Sequence, residues 1–137
     1  MDRELRCELV PQAQVYELCW QLAEALRASG YRPQVVIAIA RGGFVPARYL
    51  CDFLSISAMT SIKVQHYAPG ARKQQRAWVK YPLGGSIEGQ KVLLVDDVND
   101  TGDTLEAALD HLRGFGARDL RTAVLHEKLS TRFRGDY

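Results

Sequence analysis

The sequence predicts an α/β fold with a mainly parallel central sheet flanked by helices. Three observations carry this. Val35-Val36-Ile37-Ala38-Ile39-Ala40 and Val92-Leu93-Leu94-Val95 are unbroken apolar runs rich in β-branched residues. Such runs suit strands buried on both faces, as in parallel sheets. Helix-like and strand-like segments alternate along the chain, as layered α/β folds require. Each apolar run also passes directly into a turn of small and polar residues, Arg41-Gly42-Gly43 after the first and Asp96 to Thr104 after the second. In open α/β sheets ligands bind at that carboxyl edge.

A chain of 137 residues, 47% hydrophobic and 25% charged, is expected to be one soluble domain, spanning 1–137, with a sizeable core. The net charge of +2 is too mild to imply a nucleic-acid partner. Cys7, Cys19 and Cys51 are widely spaced and read as reduced thiols of a cytoplasmic protein. No apolar stretch suits a signal peptide or a membrane span, so no membrane partner is expected.

Taken in order, Pro11 to Ser29 predicts a helix. Val15, Leu18, Cys19, Leu22, Ala23 and Leu26 form one apolar stripe, and Gly30 supplies a stop. The run 35–40 predicts a buried strand. Arg41-Gly42-Gly43 follows, then a helix from about Phe44 to Phe53, expected to pack through Val45, Tyr49 and Phe53. A third strand is expected around Ala58 to His66, with Lys63 facing substrate or, preferred here, solvent. His66, His111 and His126 are scattered and read as structural or exposed rather than as metal ligands. Residues 68–85 carry Pro69, Gly70, Pro82, Gly84 and Gly85 with Arg72, Lys73, Arg76 and Lys80. They read either as a solvated hairpin or as a flexible lid whose cations meet an anionic substrate. Trp78 to Tyr81 predicts a returning strand. Leu105, Ala108, Leu109 and Leu112 form the inner face of a helix ending near Gly114 or Gly116, and Leu120 to Leu125 a last strand.

The chemistry concentrates after Val95. Asn99-Asp100-Thr101-Gly102-Asp103-Thr104 is rich in residues that make tight turns and cap helices. Its backbone N–H groups and the Thr101 and Thr104 hydroxyls suit an anion at a helix N-terminus. Asp96 and Asp97 would repel a phosphate. They suit ribose hydroxyls, or Mg²⁺ shared with substrate oxygens. Together these residues describe a site for a phosphorylated sugar. Arg41 adds a fork of donors suited to phosphate oxygens, beside glycines that allow close backbone approach, although Arg-Gly-Gly alone also fits a plain tight turn.

The stretch Asp96-Asp97-Val98-Asn99-Asp100-Thr101-Gly102-Asp103-Thr104 resembles the phosphoribosyl-pyrophosphate (PRPP) motif of the type I phosphoribosyltransferases. Within them it is most similar to the hypoxanthine, guanine and xanthine branch. Ala40-Arg41-Gly42-Gly43-Phe44-Val45-Pro46-Ala47 resembles the pyrophosphate loop of the xanthine-guanine and archaeal-type members. The resemblance implies transfer of the phosphoribosyl group from PRPP to a 6-oxopurine base, with Mg²⁺, in a homodimer. It implies Asp100 near purine N7 for proton transfer and Arg41 on the leaving pyrophosphate. Asp96 and Asp97 would orient ribose and metal. Asn99, Thr101, Gly102, Asp103 and Thr104 would bind the 5′-phosphate, with the Asp103 carboxylate turned away from it, and Gly42 and Gly43 the pyrophosphate.

Lys128 matches the family lysine that donates to the exocyclic oxygen of the base; otherwise it is an exposed loop residue. The resemblance further implies a lid at 68–85 and a non-proline cis peptide bond at Ala40–Arg41. Relatives continue past Tyr137 into a segment with an aromatic residue that stacks on the purine. The expectation is therefore an incomplete C-terminal hood with poor base discrimination, where Tyr137 is a local candidate for covering the base. A non-catalytic regulatory protein that binds PRPP or nucleotide on the same fold is the alternative. A receiver domain is disfavoured because its acidic pair lies near the N-terminus.

Overall fold

The computed structural model describes residues 6–68 and 77–137. Helix α1 (Gln12–Ser29) leads to strand β1 (Val35–Ala40), helix α2 (Phe44–Leu54) and strand β2 (Met59–His66). Strand β3 (Ala77–Tyr81), strand β4 (Lys91–Asn99), helix α3 (Asp103–Arg113) and strand β5 (Asp119–Glu127) follow. The strands form one five-stranded sheet in the order β3-β2-β1-β4-β5. Strands β2, β1, β4 and β5 are parallel, and β3 pairs antiparallel with β2 at one edge.

The apolar runs behave as their composition dictates. Side chains alternate across a strand, so each run supplies both faces of the sheet. Val35, Ile37, Ile39, Val92 and Leu94 join Leu105, Leu109 and Leu112 of α3 in one core. Val36, Ala38, Leu93 and Val95 join Leu22, Leu26 and Leu50 of α1 and α2 in the other. Helix α1 ends as expected, with Gly30 in the left-handed region at φ 78°.

Several expectations need correction. Helix α2 turns Pro46, Ala47, Leu50 and Cys51 inward, whereas Val45 is exposed. Tyr49 and Phe53 pack sideways against Tyr16 of α1, and Phe53 also meets Trp20, each edge to face. Of the lid range 68–85, residues 69–76 lie outside the described residues, while 77–81 form β3 and Leu83 is buried in the α3-side core. Lys63 is half-buried rather than solvent-facing, opposite Ala40 in the ladder. Strand β4 does not stop at Val95. Pairing with β5 continues through Asp96↔Val124, Val98↔His126 and Asn99↔Glu127, so the acidic pair lies within the strand. The Ala40–Arg41 peptide bond is cis, as the resemblance implies. Cys7, Cys19 and Cys51 are free thiols; burial pushes Cys19 up to about 11. Among the described residues no helix is long and apolar enough to cross a membrane.

Candidate active site

Strand parity decides where the two acids go. Val92 and Leu94 face α3, so Asp96 does too, and it is buried there. Asp97 projects to the other side, toward the β1–α2 turn. A Cβ on Gly42 would run into the Asp97 carboxylate, which measures how closely turn and acid are packed. A Cβ on Gly43 would lie 2.7 Å from the Ile39 carbonyl oxygen and clash with that of Val95. Gly43 is therefore required by proximity, because its neighbours are backbone atoms, whereas at Gly42 the Asp97 side chain would have to swing aside. The Gly43 N–H donates to the Ile39 carbonyl at 2.9 Å and the Phe44 N–H to that of Arg41 at 3.1 Å. Those two amides close the turn on itself instead of facing outward. Arg41 is exposed.

Asp96 accepts the Asp97 N–H at 2.9 Å, and Asp97 accepts the Val98 N–H at 2.7 Å. The Asp96 carboxyl is pushed up to about 7, first by burial. The Asp97 N–H pulls it back down, while the Asp97 carboxylate adds to the rise. A buried acid with a like charge beside it holds its proton to higher pH.

The second turn joins β4 to α3. Gly102 sits at φ 94°, and a Cβ there would lie 2.6 Å from Phe133 Cβ. Conformation and space both demand glycine. The Asp103 N–H donates to Thr101 Oγ1 at 3.2 Å. The Asp103 carboxylate faces Arg132 at 2.6 Å. His66, Asp96, Asn99, Asp100, Thr101, Gly102 and Thr104 line a cleft of about 150 Å³. Drug-sized ligand sites span roughly 300–1,000 Å³, so the cleft suits a phosphate and part of a sugar.

Asn99 and Tyr137 each have partners of their own within the chain. Asn99 is buried, and its amide donates to Glu127 Oε1 at 3.0 Å and to the Phe133 carbonyl at 2.6 Å. It holds the chain after Thr131 against the turn while also lining the cleft. Tyr137 does not cover the site. Its hydroxyl meets Ser29 at 2.9 Å and accepts from Arg121 at 2.7 Å, and its ring stacks on Tyr31. Lys128 lies beside Asp100, with Nζ 3.0 Å from Oδ2, and both are exposed. The Lys128 N–H donates to the Asn99 carbonyl at 3.0 Å, which fixes the end of β5 to the start of the turn. His66, read from sequence as structural or exposed, enters the cleft with Nε2 3.2 Å from Thr104 Oγ1. Its strand lies two places from β4 in the sheet, so no sequence spacing could reveal this.

Residues 8–137 match the family described as the phosphoribosyl transferase domain. The hypoxanthine-guanine phosphoribosyltransferase of Schizosaccharomyces pombe is 32% identical over 72% of this chain and 56% of its own length. The bifunctional protein PyrR of Corynebacterium diphtheriae is 35% identical over 82% of this chain and 65% of its own. A crystal structure of purine phosphoribosyltransferase from Pyrococcus horikoshii superimposes with a TM-score of 0.82 at 35% identity, covering 93% of this chain and 82% of that one. The chain thus spans little more than half the length of the yeast relative.

Proposed function

The chain belongs to the phosphoribosyltransferase family, and on that premise we propose that it transfers the 5-phosphoribosyl group of PRPP to a 6-oxopurine base. The products are a nucleoside 5′-monophosphate and pyrophosphate. The observation that carries this reading is the Lys128–Asp100 pair at 3.0 Å beside the phosphate turn. It sets an ammonium donor next to a carboxylate acceptor. The exposed edge of a 6-oxopurine carries the complement, an oxygen at C6 and an N7–H alongside. Lys128 donates to the oxygen and Asp100 takes the proton from N7.

The reaction then follows from placement. The 5′-phosphate occupies the turn formed by Asp100, Thr101, Gly102, Asp103 and Thr104, where helix α3 begins and its dipole favours an anion. Arg41 meets the pyrophosphate, and the missing side chains at Gly42 and Gly43 let it approach the turn closely. The base nitrogen N9 attacks the ribose C1 and the C1–oxygen bond to pyrophosphate breaks. Positive character on the ribose ring is balanced by Asp96 and Asp97, and the leaving charge by Arg41.

Among the described residues no three metal-binding side chains cluster. Asp96 and Asp97 fit the mode in which Mg²⁺ takes one or two carboxylates and completes its shell with substrate oxygens and water. Bound there, Mg²⁺ supplies charge neutralisation on the pyrophosphate.

The test is pyrophosphate release with Mg²⁺, PRPP and hypoxanthine, guanine, xanthine or uracil. Formation of a purine nucleoside monophosphate is expected. Tight PRPP binding without turnover on any base would replace this reading with the regulatory one.

A further inference from the structure

The phosphate turn has an electrostatic difficulty. Its cleft is lined by two carboxylates, Asp96 and Asp100, yet on the reading above it takes a phosphate group. Two cations that reach the turn are engaged, Lys128 by Asp100 and Arg132 by Asp103. Among the described residues that line the cleft, His66 is the single basic group. It comes from β2, not from the motif. The register places it opposite Ala77 of β3, which carries no charge. From α3 it meets Thr104, whose hydroxyl lies 3.2 Å from its Nε2.

We propose that His66 is a contact to the 5′-phosphate, donating from Nε2 to a phosphate oxygen held in the Asp100–Thr104 turn. In the ligand-free arrangement Nε2 and the Thr104 hydroxyl satisfy each other. When the phosphate enters, both turn to it, so the hydrogen bond between them marks where its oxygens sit. The imidazole closes the side of the turn that backbone amides and threonines leave open, and it offsets the carboxylates. The inference rests on the phosphoribosyltransferase reading but adds a residue outside its motif.

The experiment measures dissociation constants of ribose 5-phosphate and of pyrophosphate by calorimetry, for the wild-type chain and for His66→Gln and His66→Lys. A hydrogen bond to a charged group at a half-open site predicts about a tenfold loss of ribose 5-phosphate affinity in His66→Gln. Pyrophosphate, which occupies the β1–α2 turn, should bind unchanged. His66→Lys should restore most of the ribose 5-phosphate affinity. Equal affinity of wild type and His66→Gln for ribose 5-phosphate overturns the inference and leaves the proposed function standing. A parallel loss of pyrophosphate affinity, or no recovery in His66→Lys, assigns His66 a structural role and also overturns it. If the wild-type chain binds neither ligand, the proposed function itself fails.

Discussion

Asp96 and Asp100 line the same cleft, but their surroundings give them opposite characters. Asp100 is exposed and pairs with Lys128, so the core does not depend on it. Asp100→Asn keeps the shape and removes the proton acceptor. Turnover should fall roughly 10²–10⁴-fold, the usual range for a lost acid–base group, with PRPP affinity and melting temperature near wild type. An unchanged kcat would take the proton-transfer role from this residue.

Asp96 is buried, and burial pushes its carboxyl up to about 7, whereas an aspartate in the unfolded chain has a pKa of about 3.9. The folded state therefore holds this proton more tightly. Its contribution to stability is complete below about pH 4 and is lost as pH rises through about 7. Asp96→Asn stays neutral throughout and keeps an oxygen to accept the Asp97 N–H. The variant should be more stable than wild type at about pH 8, by on the order of a few kcal/mol, with the difference vanishing near pH 4. Urea unfolding at three pH values reads this directly, and a pH-independent difference would contradict it.

At the scale of elements, the two turns depend on close approach. Gly43 sits against backbone carbonyl oxygens of Ile39 and Val95, atoms that cannot swing away. Gly43→Ala must displace β1 or β4 at the site. Overpacking of this kind costs about 1–3 kcal/mol, and pyrophosphate affinity should fall with it. Retained affinity and stability would mean that the turn relaxes freely.

The strands, the helices and both turns were legible in the sequence because apolar runs, Gly30 and Gly102 act through local physics. What was not legible depended on neighbours distant in the chain. Nothing local shows that β4 runs on through Asp97. The continuation comes from its ladder with β5, and it buries Asp96 while Asp97 packs against the β1–α2 turn. The amphipathic pattern of α2 was misread because Tyr49 and Phe53 are covered by α1 rather than by the sheet. Asn99 looked like a substrate ligand from its place in the motif. Its amide is claimed by Glu127 and by the Phe133 carbonyl, both far ahead in the chain.

For the molecule as a whole, residues 131–137 fasten the site to the far side of the sheet. The Phe133 side chain lies against Gly102, and Arg132 pairs with Asp103. Glu127 accepts the Gly135 N–H at 2.6 Å and pairs with Arg134 at 3.2 Å. Burial pushes its carboxyl up, but these donors and Asn99 outweigh it and hold Glu127 below the usual range. Beyond this point the chain lies along the outer edge of β5. The Tyr137 N–H donates to the Thr122 carbonyl and the Val124 N–H to that of Tyr137, each at 3.1 Å, the pattern of a parallel pairing. Asp136 Oδ2 accepts from the Thr122 N–H at 2.8 Å, and Tyr137 stacks on Tyr31.

Two functions are thus separated along seven residues: 132 and 133 touch the phosphate turn, and 135–137 cover an edge strand. Removing 135–137 deletes several hydrogen bonds worth about 1 kcal/mol each and bares the ladder groups of β5, an invitation to edge-to-edge association. The truncated chain should lose roughly 2–4 kcal/mol of stability and gain a tendency to self-associate, seen by urea unfolding and light scattering. Its affinity for ribose 5-phosphate should stay within about threefold of wild type, since Arg132 and Phe133 remain; such a difference is under about 1 kcal/mol. If affinity falls as steeply as stability, the β5 edge and the phosphate turn form one cooperative unit, and the division of labour within the tail is wrong.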